Sequence, residues 1–421
     1  MSDTYNTGGF PDVIFVPKND KEQIYRMETN PSKSRAASSV RKQETSALIV
    51  VSMAVFVDMF LYGVTVPIIP SLATEYSLSS GNIGFLFGIY ATVMILLTPL
   101  IGLWVDRQGS RPPLLIGLIG LAVSTIFFAY APSFTLLVIA RALQGASAAA
   151  TWTAGLALLA AIYSKENRGA AMGTAFSLMS AGLLLGPPVG GFLFERFGRA
   201  IPFLICAGLV LIDLLLRIFL IRGIPHSPRE LHYKELMRTG NFLPALFITV
   251  LGASLFAFIE PILPLHADRL FHASSSSIGL MFGAATLASL VFFPLAGMLS
   301  DRVNIRGVIL LGVAISALSY ALIALANNTW FLMAGMVLLA IGGTFILAPT
   351  TNLIGKTAET VEPPAYGSAY SLYNVSYSAG LAVAPMLAGV LNGFTSFSVT
   401  SLIMSGLILI GGALVFGYRK Q

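Results

Sequence analysis

Twelve apolar runs follow one another from residue 47 to the end of the chain. Each is about 20 residues long, which is enough to cross the roughly 30 Å hydrocarbon core of a bilayer as a helix. The pattern therefore predicts an all-α membrane protein with twelve transmembrane helices. The runs lie at 47–70, 82–105, 112–131, 134–158, 168–194, 200–221, 242–264, 275–299, 307–326, 329–355, 366–391 and 397–418.

Short repeated motifs divide the twelve runs into two groups of six. Three pairs of motifs recur at offsets of 195, 194 and 198 residues: 102–111 with 297–306, 66–70 with 260–264, and 182–191 with 380–389. Two same-sense repeats of six helices lie parallel about an axis along the membrane normal, and transporters of this design use the seam between the halves as the substrate path. We therefore expect six-helix bundles at 47–221 and 242–418. Glycine and proline interruptions cluster in spans one, five, seven and eleven, which are expected to line the seam.

Composition and charge agree with a membrane protein. The chain is 56% hydrophobic and 10% charged, whereas soluble proteins average roughly 25% charged. Of the 25 Lys and Arg residues, 21 fall on one side of the predicted topology, and the positive-inside rule places that side, with both termini and the 222–241 linker, in the cytoplasm. The net charge of +6 is spread over alternate loops, so it does not indicate nucleic acid binding. The polar stretches 1–46 and 419–421 are expected to be cytoplasmic tails, the first disordered and not a signal peptide.

The repeated stretch at 102–111 and 297–306 combines a glycine, an aspartate and arginines in the loops after spans two and eight. The glycine permits close helix contact, while the aspartate can accept from helix N-terminal amides or from an arginine across the gap. We expect a latch for one end state; a charged tight turn that merely ends two helices is the alternative. The pattern resembles the signature loop of the major facilitator superfamily, and the resemblance extends over 47–421. The residues of this predicted cytoplasmic gate are Gly102, Asp106, Arg107, Arg111, Asp301, Arg302 and Arg306.

Span five carries the pattern Gly-x-x-x-Gly-Pro-Pro-x-Gly-Gly. Glycines four residues apart allow a close backbone crossing, and the prolines free carbonyls and permit bending, so this helix can pack tightly at the seam and rock. A plain packing kink is the alternative. The pattern resembles the motif of the superfamily's proton-coupled antiporters, in particular the twelve-span drug:proton group, and so implies antiport. Its residues are Gly182, Gly186, Pro187, Pro188, Gly190 and Gly191.

Besides Asp213 and Arg217 of span six, three charged side chains stand deep inside apolar runs: Asp58 in span one, Arg141 in span four and Glu260 in span seven. A charge at mid-depth costs roughly 2.5–3.5 kcal/mol or more, so such residues are functional by default. Since a carboxyl group removed from water holds a proton more tightly, Asp58 and Glu260 are candidates for binding protons or a cationic substrate. A carboxylate satisfied by a neighbour, such as Asp58 by Arg141, is the alternative. The family pattern has an arginine and a Gln-Gly pair associated with proton transfer, which Arg141, Gln144 and Gly145 match.

Polar aromatic side chains recur at helical spacing in span eleven and are joined by others in spans one and ten. Aromatic faces combined with a carboxylate suit cations that carry aromatic rings, through cation–π contacts and ion pairing. Packing between helices is the alternative for such a stripe. The predicted substrate-binding residues are Tyr62, Phe345, Asn352, Tyr370, Tyr373, Asn374 and Tyr377, with Thr350 close by.

The sequences around Asp58 and Glu260 look similar to those of the vesicular amine transporters and their bacterial relatives. The resemblance implies that Asp58 and Glu260 correspond to the carboxylates with which the family binds the amine and the proton. Charges that the family carries in spans two, ten and eleven are replaced here by Tyr90, Thr344 and Asn374. The vesicular proton stoichiometry and substrate therefore do not carry over, and a bacterial-type exporter fits better.

The sequence thus predicts a proton-coupled antiporter that exports cationic or amphipathic aromatic small molecules, drugs or amines, by alternating access across a bacterial-type plasma membrane. The alternative is a proton symporter or facilitator for another small solute such as a sugar or an organic anion; a non-transporting sensor is a third class. The sequence has no phosphate-binding glycine-rich loop, metal-ligand cluster or nucleophile triad, so we expect no enzyme, cofactor or metal. The expected partners are the substrate, protons and the lipid bilayer, with the chain as a monomer. Asp213 and Arg217, four residues apart in span six, are explained by a local ion pair.

Overall fold

The computed structural model describes residues 31–163, 165–220, 233–240, 242–362 and 365–417, and every regular element in these ranges is helical. Twelve long helices correspond one to one with the predicted runs. Eleven of them are long and apolar enough to cross a membrane, and the last contributes a shorter apolar stretch, Phe397–Ala413. The helices are α1 (Pro31–Thr65), α2 (Ser80–Gln108), α3 (Arg111–Ala129), α4 (Phe134–Ile162), α5 (Lys165–Phe197), α6 (Ala200–Leu220), α7 (Phe242–Ile259), α8 (Ser275–Arg302), α9 (Ile305–Ala324), α10 (Thr329–Glu359), α11 (Tyr366–Phe394) and α12 (Phe397–Gly417).

Two predicted polar stretches contain helix. The chain divides into a unit at Met1–Thr45 and a unit at Ser46–Gln421. Because α1 begins at Pro31, the predicted disorder of 1–46 is wrong for residues 31–46. This segment is rich in residues with high helix propensity, such as Ala, Arg, Lys, Gln and Glu, which can form a helix without an apolar face. Tyr233–Arg238 forms a short helix inside the predicted linker, while 221–232 and 241, like 1–30 and 418–421, lie outside the described residues.

The first and seventh spans are both broken by prolines at equivalent positions. After α1 the chain makes a 3₁₀ turn, Val66–Ile68, and continues as a short helix, Ile69–Glu75. After α7 it makes a turn and continues as a short helix, Leu263–Phe271. Proline cannot donate the backbone hydrogen bond that a continuous helix requires, so each break follows directly from the sequence. As a consequence Glu260 lies in a non-helical turn, whereas Asp58 lies inside a regular helix.

Serine and asparagine side chains begin several of the spans. Ser79, Ser133 and Ser274 each accept a hydrogen bond from the backbone N–H three residues later, at the starts of α2, α4 and α8. Asn328 does the same for α10. Side-chain oxygens at these positions satisfy amides that have no partner within the helix, so they fix where each span starts.

A buried ion pair holds α6 against α3 within the first half. Arg217 Nη2 lies 2.9 Å from Asp213 Oδ2, and both side chains are essentially inaccessible to solvent. Arg217 Nη1 also donates to the carbonyl oxygen of Leu114 at 3.0 Å. The local ion pair expected from the sequence is therefore present, and it also ties the start of α3, which carries Arg111, to α6.

The two halves meet mainly along two helix pairs, α2 with α11 and α5 with α8. The contacts described below lie where α2 and α8 begin, and we call this the Ser80 end of the bundle. The opposite end, where α2 and α8 finish, carries both copies of the predicted gate and is called the Asp106 end.

Candidate functional site

Asp58 is buried in α1 and is held by two neutral donors. The indole Nε1 of Trp152 on α4 donates to Asp58 Oδ2 at 2.9 Å, and the hydroxyl of Tyr90 on α2 donates to the same oxygen at 3.0 Å. Only 2% of the Asp58 surface is exposed. Three helices of the first half thus converge on a single carboxylate oxygen.

Glu260 receives a hydrogen bond from the opposite half of the protein. The hydroxyl of Tyr62, one turn after Asp58 on α1, donates to Glu260 Oε2 at 2.5 Å. Glu260 is buried in the turn after α7. The carboxylate of the second half is therefore bound directly to the helix that carries the carboxylate of the first.

Arg141 is fully buried among aromatic rings. Its guanidinium lies over Phe87 at 5.0 Å and over Tyr62 and Phe128 at 5.5 Å from each ring centroid. Nη1 donates to Gln144 Oε1 at 3.1 Å, while Nε and Nη2 have no hydrogen-bond partner among the described residues. Contact with ring faces compensates part of the lost hydration of the cation.

Arg141 influences both carboxylates without forming an ion pair with either. It interacts electrostatically with Asp58 and with Glu260, but within the described part of the chain it makes no salt bridge to them. The alternative in which Arg141 satisfies Asp58 is therefore not what the structure shows, because Trp152 and Tyr90 fill that role.

These side chains form one connected group at the seam. The rings of Tyr62 and Tyr90 lie 5.5 Å apart and so link the Glu260 bond to the Asp58 bonds. We call the group the carboxylate cluster. Its members are Asp58, Tyr62, Tyr90, Arg141, Trp152 and Glu260.

The predicted tyrosine stripe lies along one face of α11. The ring centroids of Tyr370 and Tyr373 are 6.5 Å apart, and those of Tyr373 and Tyr377 are 6.3 Å apart. Thr351 of α10 donates to the Tyr373 hydroxyl at 3.3 Å. All three tyrosines and Asn374 are half-buried, and Tyr377 interacts electrostatically with Glu260. The stripe thus reaches the carboxylate cluster at its Tyr377 end.

The structure does not bring every predicted substrate residue to this stripe. Asn352 Nδ2 donates to Asp301 Oδ1 at 2.7 Å, which places Asn352 at the Asp106 end beside the gate residues. Phe345 is half-buried, and the buried Thr350 donates to a carbonyl of its own helix. Asn352 lies seven residues beyond Phe345, about two turns of helix, so the two residues stand at different depths.

The glycines of the antiporter motif pack α5 against α1. A Cβ added at Gly182 would lie 2.4 Å from the carbonyl oxygen of Phe56, and one added at Gly186 would lie 2.6 Å from that of Phe60. Real side chains do not tolerate such contacts, so only glycine permits this crossing. Gly190 makes the next contact of the row, with Val64.

The other face of the motif touches α8 of the second half. Gly191 approaches the carbonyl oxygen of Ser275 so closely that a Cβ would lie 2.2 Å from it, and Gly279 approaches that of Pro187 at 2.3 Å on the same measure. Pro188 packs against Gly283. The motif predicted to pack tightly at the seam is therefore itself a contact between the halves.

Two hydrogen bonds related by the internal repeat join the halves at the Ser80 end. Glu195 Oε2, on α5, accepts from the backbone N–H of Ser276 at 3.1 Å. Asn392 Nδ2, on α11, donates to Ser80 Oγ at 2.9 Å. Glu195 and Asn392 are 197 residues apart, and Ser80 and Ser276 are 196 apart, in line with the repeat. We call these bonds the paired latches.

The predicted gate is only partly engaged. Asp301 accepts from Asn352 and from Lys356 Nζ at 3.1 Å, and both partners belong to its own half. Asp106 is exposed and has no hydrogen-bond partner among the described residues. Nothing lies within 4 Å of a Cβ added at Gly102 or Gly297, so the close helix contact expected at these glycines is absent from this conformation. The arginines of both copies, Arg107, Arg111, Arg302 and Arg306, are exposed.

Sequence reasoning missed Trp152 and the paired latches. Trp152 follows Arg141 by eleven residues, about three helical turns, so both lie on the same face of α4. That spacing was a usable signal. Glu195 and Asn392 each follow a copy of the motif in 182–191 and 380–389, and their matching offset could have pointed to them.

The fold and site define a membrane transporter with two related halves. The family model described as Major Facilitator Superfamily matches residues 51–259 and 242–421, and the chain belongs to that superfamily. Membership of that superfamily agrees with the expectation of a transporter rather than an enzyme. In the described part of the chain no group of three or more His, Cys, Asp or Glu residues could hold a metal ion.

The proteins similar to this chain include vesicular transporters named for amines and acetylcholine. The chain is 30% identical over 312 residues to the synaptic vesicular amine transporter of Bos taurus, a match that covers 73% of this chain and 60% of that protein. It is 31% identical over 369 residues to the probable vesicular acetylcholine transporter-B of Danio rerio, which covers 81% of this chain and 73% of the relative. The chain thus spans about 60% of the length of the bovine amine transporter.

Solved structures confirm the predicted all-α fold. A bacterial homolog of the human lysosomal transporter Spinster, in an inward-facing and occupied conformation, superposes with a TM-score of 0.74. The match covers 88% of this chain and 96% of the other at 15% sequence identity. At that identity the likeness concerns the fold alone.

Proposed function

We propose that this protein is a proton-coupled antiporter that exports cationic or amphipathic aromatic small molecules, drugs or amines, by alternating access. The observation that carries the proposal is the carboxylate cluster. Its two carboxylates, Asp58 and Glu260, come from equivalent spans of the two halves and are joined through Tyr62 and Tyr90. Ionisable groups at this depth, where a charge is costly, are retained for ion or substrate pathways.

The cluster can exchange a proton for a cation at constant charge. A carboxylate stabilises an ammonium group by ion pairing and hydrogen bonding, and protonation of the carboxylate removes the ion pair. Tyr377, at one end of the half-buried tyrosine stripe of α11, interacts electrostatically with Glu260 and offers an aromatic face for the rest of an aromatic cation. The substrate and the proton therefore occupy the same region in turn.

The contacts of the antiporter motif support alternating access. One face of α5 is fixed to α1 by Gly182 and Gly186, and the other face meets α8 of the second half through Gly191. A helix packed on both sides by backbone contacts moves as a rigid unit, so a change at Asp58 on α1 is transmitted to the contact with α8. The paired latches lie at the end of this contact.

The orientation follows from the charges at the two ends. Four arginines of the gate stretches are exposed at the Asp106 end, which the positive-inside rule places in the cytoplasm, together with both termini. The Ser80 end is then external and is latched in this structure. In the opposite conformation Asp106 and Asp301 would act as the cytoplasmic gate.

The names of the relatives agree with this proposal. Two are a vesicular amine transporter and a probable vesicular acetylcholine transporter, whose named substrates are organic cations. The replacement of family charges by Tyr90, Thr344 and Asn374 argues for a different stoichiometry and substrate range. A bacterial-type plasma membrane is the proposed location.

A second candidate is a proton symporter or facilitator for an organic anion or a sugar. It is favoured by the two Arg141 nitrogens that have no partner among the described residues, since a guanidinium suits an anion. Both candidates are tested by one substrate panel on proteoliposomes with an imposed pH gradient. Cations that enter acid-loaded vesicles and dissipate the gradient support antiport. Anions or sugars that move with protons, and cations that do not move, would establish the second candidate.

A further inference from the structure

The two oxygens of Asp58 have different surroundings. Trp152 and Tyr90 both donate to Oδ2, at 2.9 Å and 3.0 Å. Oδ1 has no hydrogen-bond partner among the described residues. It is not one of the fully buried polar atoms without a partner, so it retains some access to solvent. One oxygen of this carboxylate is therefore occupied and the other is available.

The chemistry of the donors makes this difference permanent. An indole N–H can donate but cannot accept a hydrogen bond, so a proton placed on Oδ2 would point at another N–H. The Tyr90 hydroxyl also disfavours a proton on Oδ2 for as long as it donates to that oxygen. A proton that binds Asp58 must therefore bind Oδ1.

Glu260 does not have this restriction. Its partner, Tyr62, carries a hydroxyl group that donates to an ionised carboxylate and accepts from a protonated one. Protonation of Glu260 can therefore retain the bond between the halves, whereas protonation of Asp58 consumes the single acceptor that it offers. The two carboxylates of the cluster are not equivalent.

We propose that Trp152 is a positioning residue that reserves Oδ1 of Asp58 as the one atom for which a proton and the cationic N–H of the substrate compete. This inference rests on the proposed antiport function. In the exchange, the O–H bond at Oδ1 breaks, the proton leaves to water, and the substrate N–H forms a hydrogen bond to the same oxygen. One positive charge leaves and one enters, so the charge of the site is conserved. Because the substrate and the proton compete for one atom, they cannot bind to Asp58 at the same time.

The carboxylate cluster contains other titratable groups besides Asp58. They are Tyr62 on its own helix, Tyr90 on α2, Arg141 on α4 and Glu260 in the second half. Among the residues that the structure describes, only Tyr90 and Trp152 donate to Asp58. Trp152→Phe removes the fixed donor and leaves every titratable group in place.

The test measures protons released when a substrate binds. The probe is the best aromatic ammonium compound from the transport panel, added to purified protein in weakly buffered solution with a pH indicator. We expect the wild type to release about one proton per cation bound, with an apparent dissociation constant that rises about tenfold for each unit of acidification while Asp58 is protonated. In Trp152→Phe we expect clearly less than one proton per cation and a rise below about threefold. Trp330→Phe, which removes a largely exposed indole at the start of α10, is the matched control and should behave as the wild type.

The outcomes separate this inference from the proposed function. If Trp152→Phe binds the cation more weakly but releases the same number of protons, Trp152 has only a packing role and the inference is wrong. If the wild type itself releases no proton, the proposed function fails first.

A second measurement leaves the Trp152–Asp58 bond intact. The chain contains three tryptophans, so Trp104→Phe with Trp330→Phe leaves Trp152 as the single emitter. Acid and substrate should both shift its emission, and Asp58→Asn should abolish both shifts. Persistence of either shift in Asp58→Asn would overturn the assignment.

Discussion

The hydroxyl of Tyr62 donates a 2.5 Å hydrogen bond to the carboxylate of Glu260, and this bond joins the first half of the transporter to the second at the depth of the buried charges. Tyr62 stands one turn from Asp58 on α1, so the bond connects the two carboxylates through a single helix. Any movement that separates the halves at this depth must break or exchange it. The bond can survive protonation of Glu260, because the Tyr62 hydroxyl can then accept, so a movement of the halves is what breaks it.

Removal of this hydroxyl should uncouple the two halves. A hydrogen bond to a charged group contributes about 1.5–3 kcal/mol, so Tyr62→Phe should lower proton-driven transport by about tenfold or more. The measurement is substrate uptake into proteoliposomes with an imposed pH gradient. Tyr130→Phe, at an exposed position after α3, serves as the control. Equal rates in the wild type and Tyr62→Phe would show that the bond has no part in transport.

The crossing of α5 over α1 should tolerate no side chain. At Gly186 a methyl group would meet the Phe60 carbonyl oxygen at 2.6 Å, so Gly186→Ala should destabilise the protein by about 1–3 kcal/mol and impair transport. Gly173→Ala lies in the same helix with nothing within 4 Å and should be neutral or slightly stabilising, because alanine favours a helix. Thermal unfolding in detergent followed by circular dichroism measures both. A Gly186→Ala protein as stable as Gly173→Ala would contradict the close crossing.

The ion pair of α6 should matter for stability and not for coupling. Loss of one partner leaves a buried charge without compensation, so Asp213→Asn should lower the free energy of unfolding by about 3–5 kcal/mol. Replacement of both charges, Asp213→Leu with Arg217→Met, should restore much of that stability, since a well-packed apolar pair is often neutral. Unfolding midpoints test the stability, and the pH profile of transport should be unchanged in the double variant. A double variant no more stable than Asp213→Asn would argue that Arg217 acts mainly through Leu114.

The paired latches should set how often the Ser80 end opens. Glu195→Gln removes the negative charge that faces the first turn of α8, and a charge at a helix N-terminus stabilises by about 0.3–1 kcal/mol, equivalent to about a two- to fivefold change in population. Single-molecule energy transfer between dyes on the two halves should therefore show more of the open state in Glu195→Gln. Arg196→Gln, at the adjacent exposed residue, is the control. Should both variants open equally, the Glu195 bond is not a latch.

The sequence was sufficient for the fold and for the buried charges, and for physical reasons. Asp58, Arg141 and Glu260 stand out because a charge inside an apolar run is costly, and the structure brings all three to one cluster. Trp152 stands out less, since an indole is common in a transmembrane helix and only its spacing from Arg141 marks it. Its bond to Asp58 depends on how α4 is rotated against α1. The rotation of one helix against another depends on packing between many residues, and the periodicity of the sequence does not determine it.

Asn352 was predicted to bind substrate but lies beside Asp301, because periodicity does not determine which neighbour a side chain meets. Spans ten and eleven each offer polar side chains at helical spacing, and the spacing identifies a face of the helix but not the depth at which a neighbour meets it. The structure pairs Asn352 with Asp301 and leaves the tyrosines of α11 half-buried. The glycines of the gate repeat show a related limit, because their sequence is compatible with a contact that forms only in another conformation.

The most direct test of the account is substrate-driven proton movement in proteoliposomes that contain the wild type, Asp58→Asn or Glu260→Gln. Vesicles loaded at acid pH receive an aromatic ammonium substrate outside, and a trapped dye reports the internal pH. The account predicts that the substrate enters and the interior becomes less acidic with the wild type, and that both variants lose this exchange. If both variants take up the substrate as fast as the wild type, with the same dependence on pH, neither carboxylate couples protons to transport and the central claim is wrong.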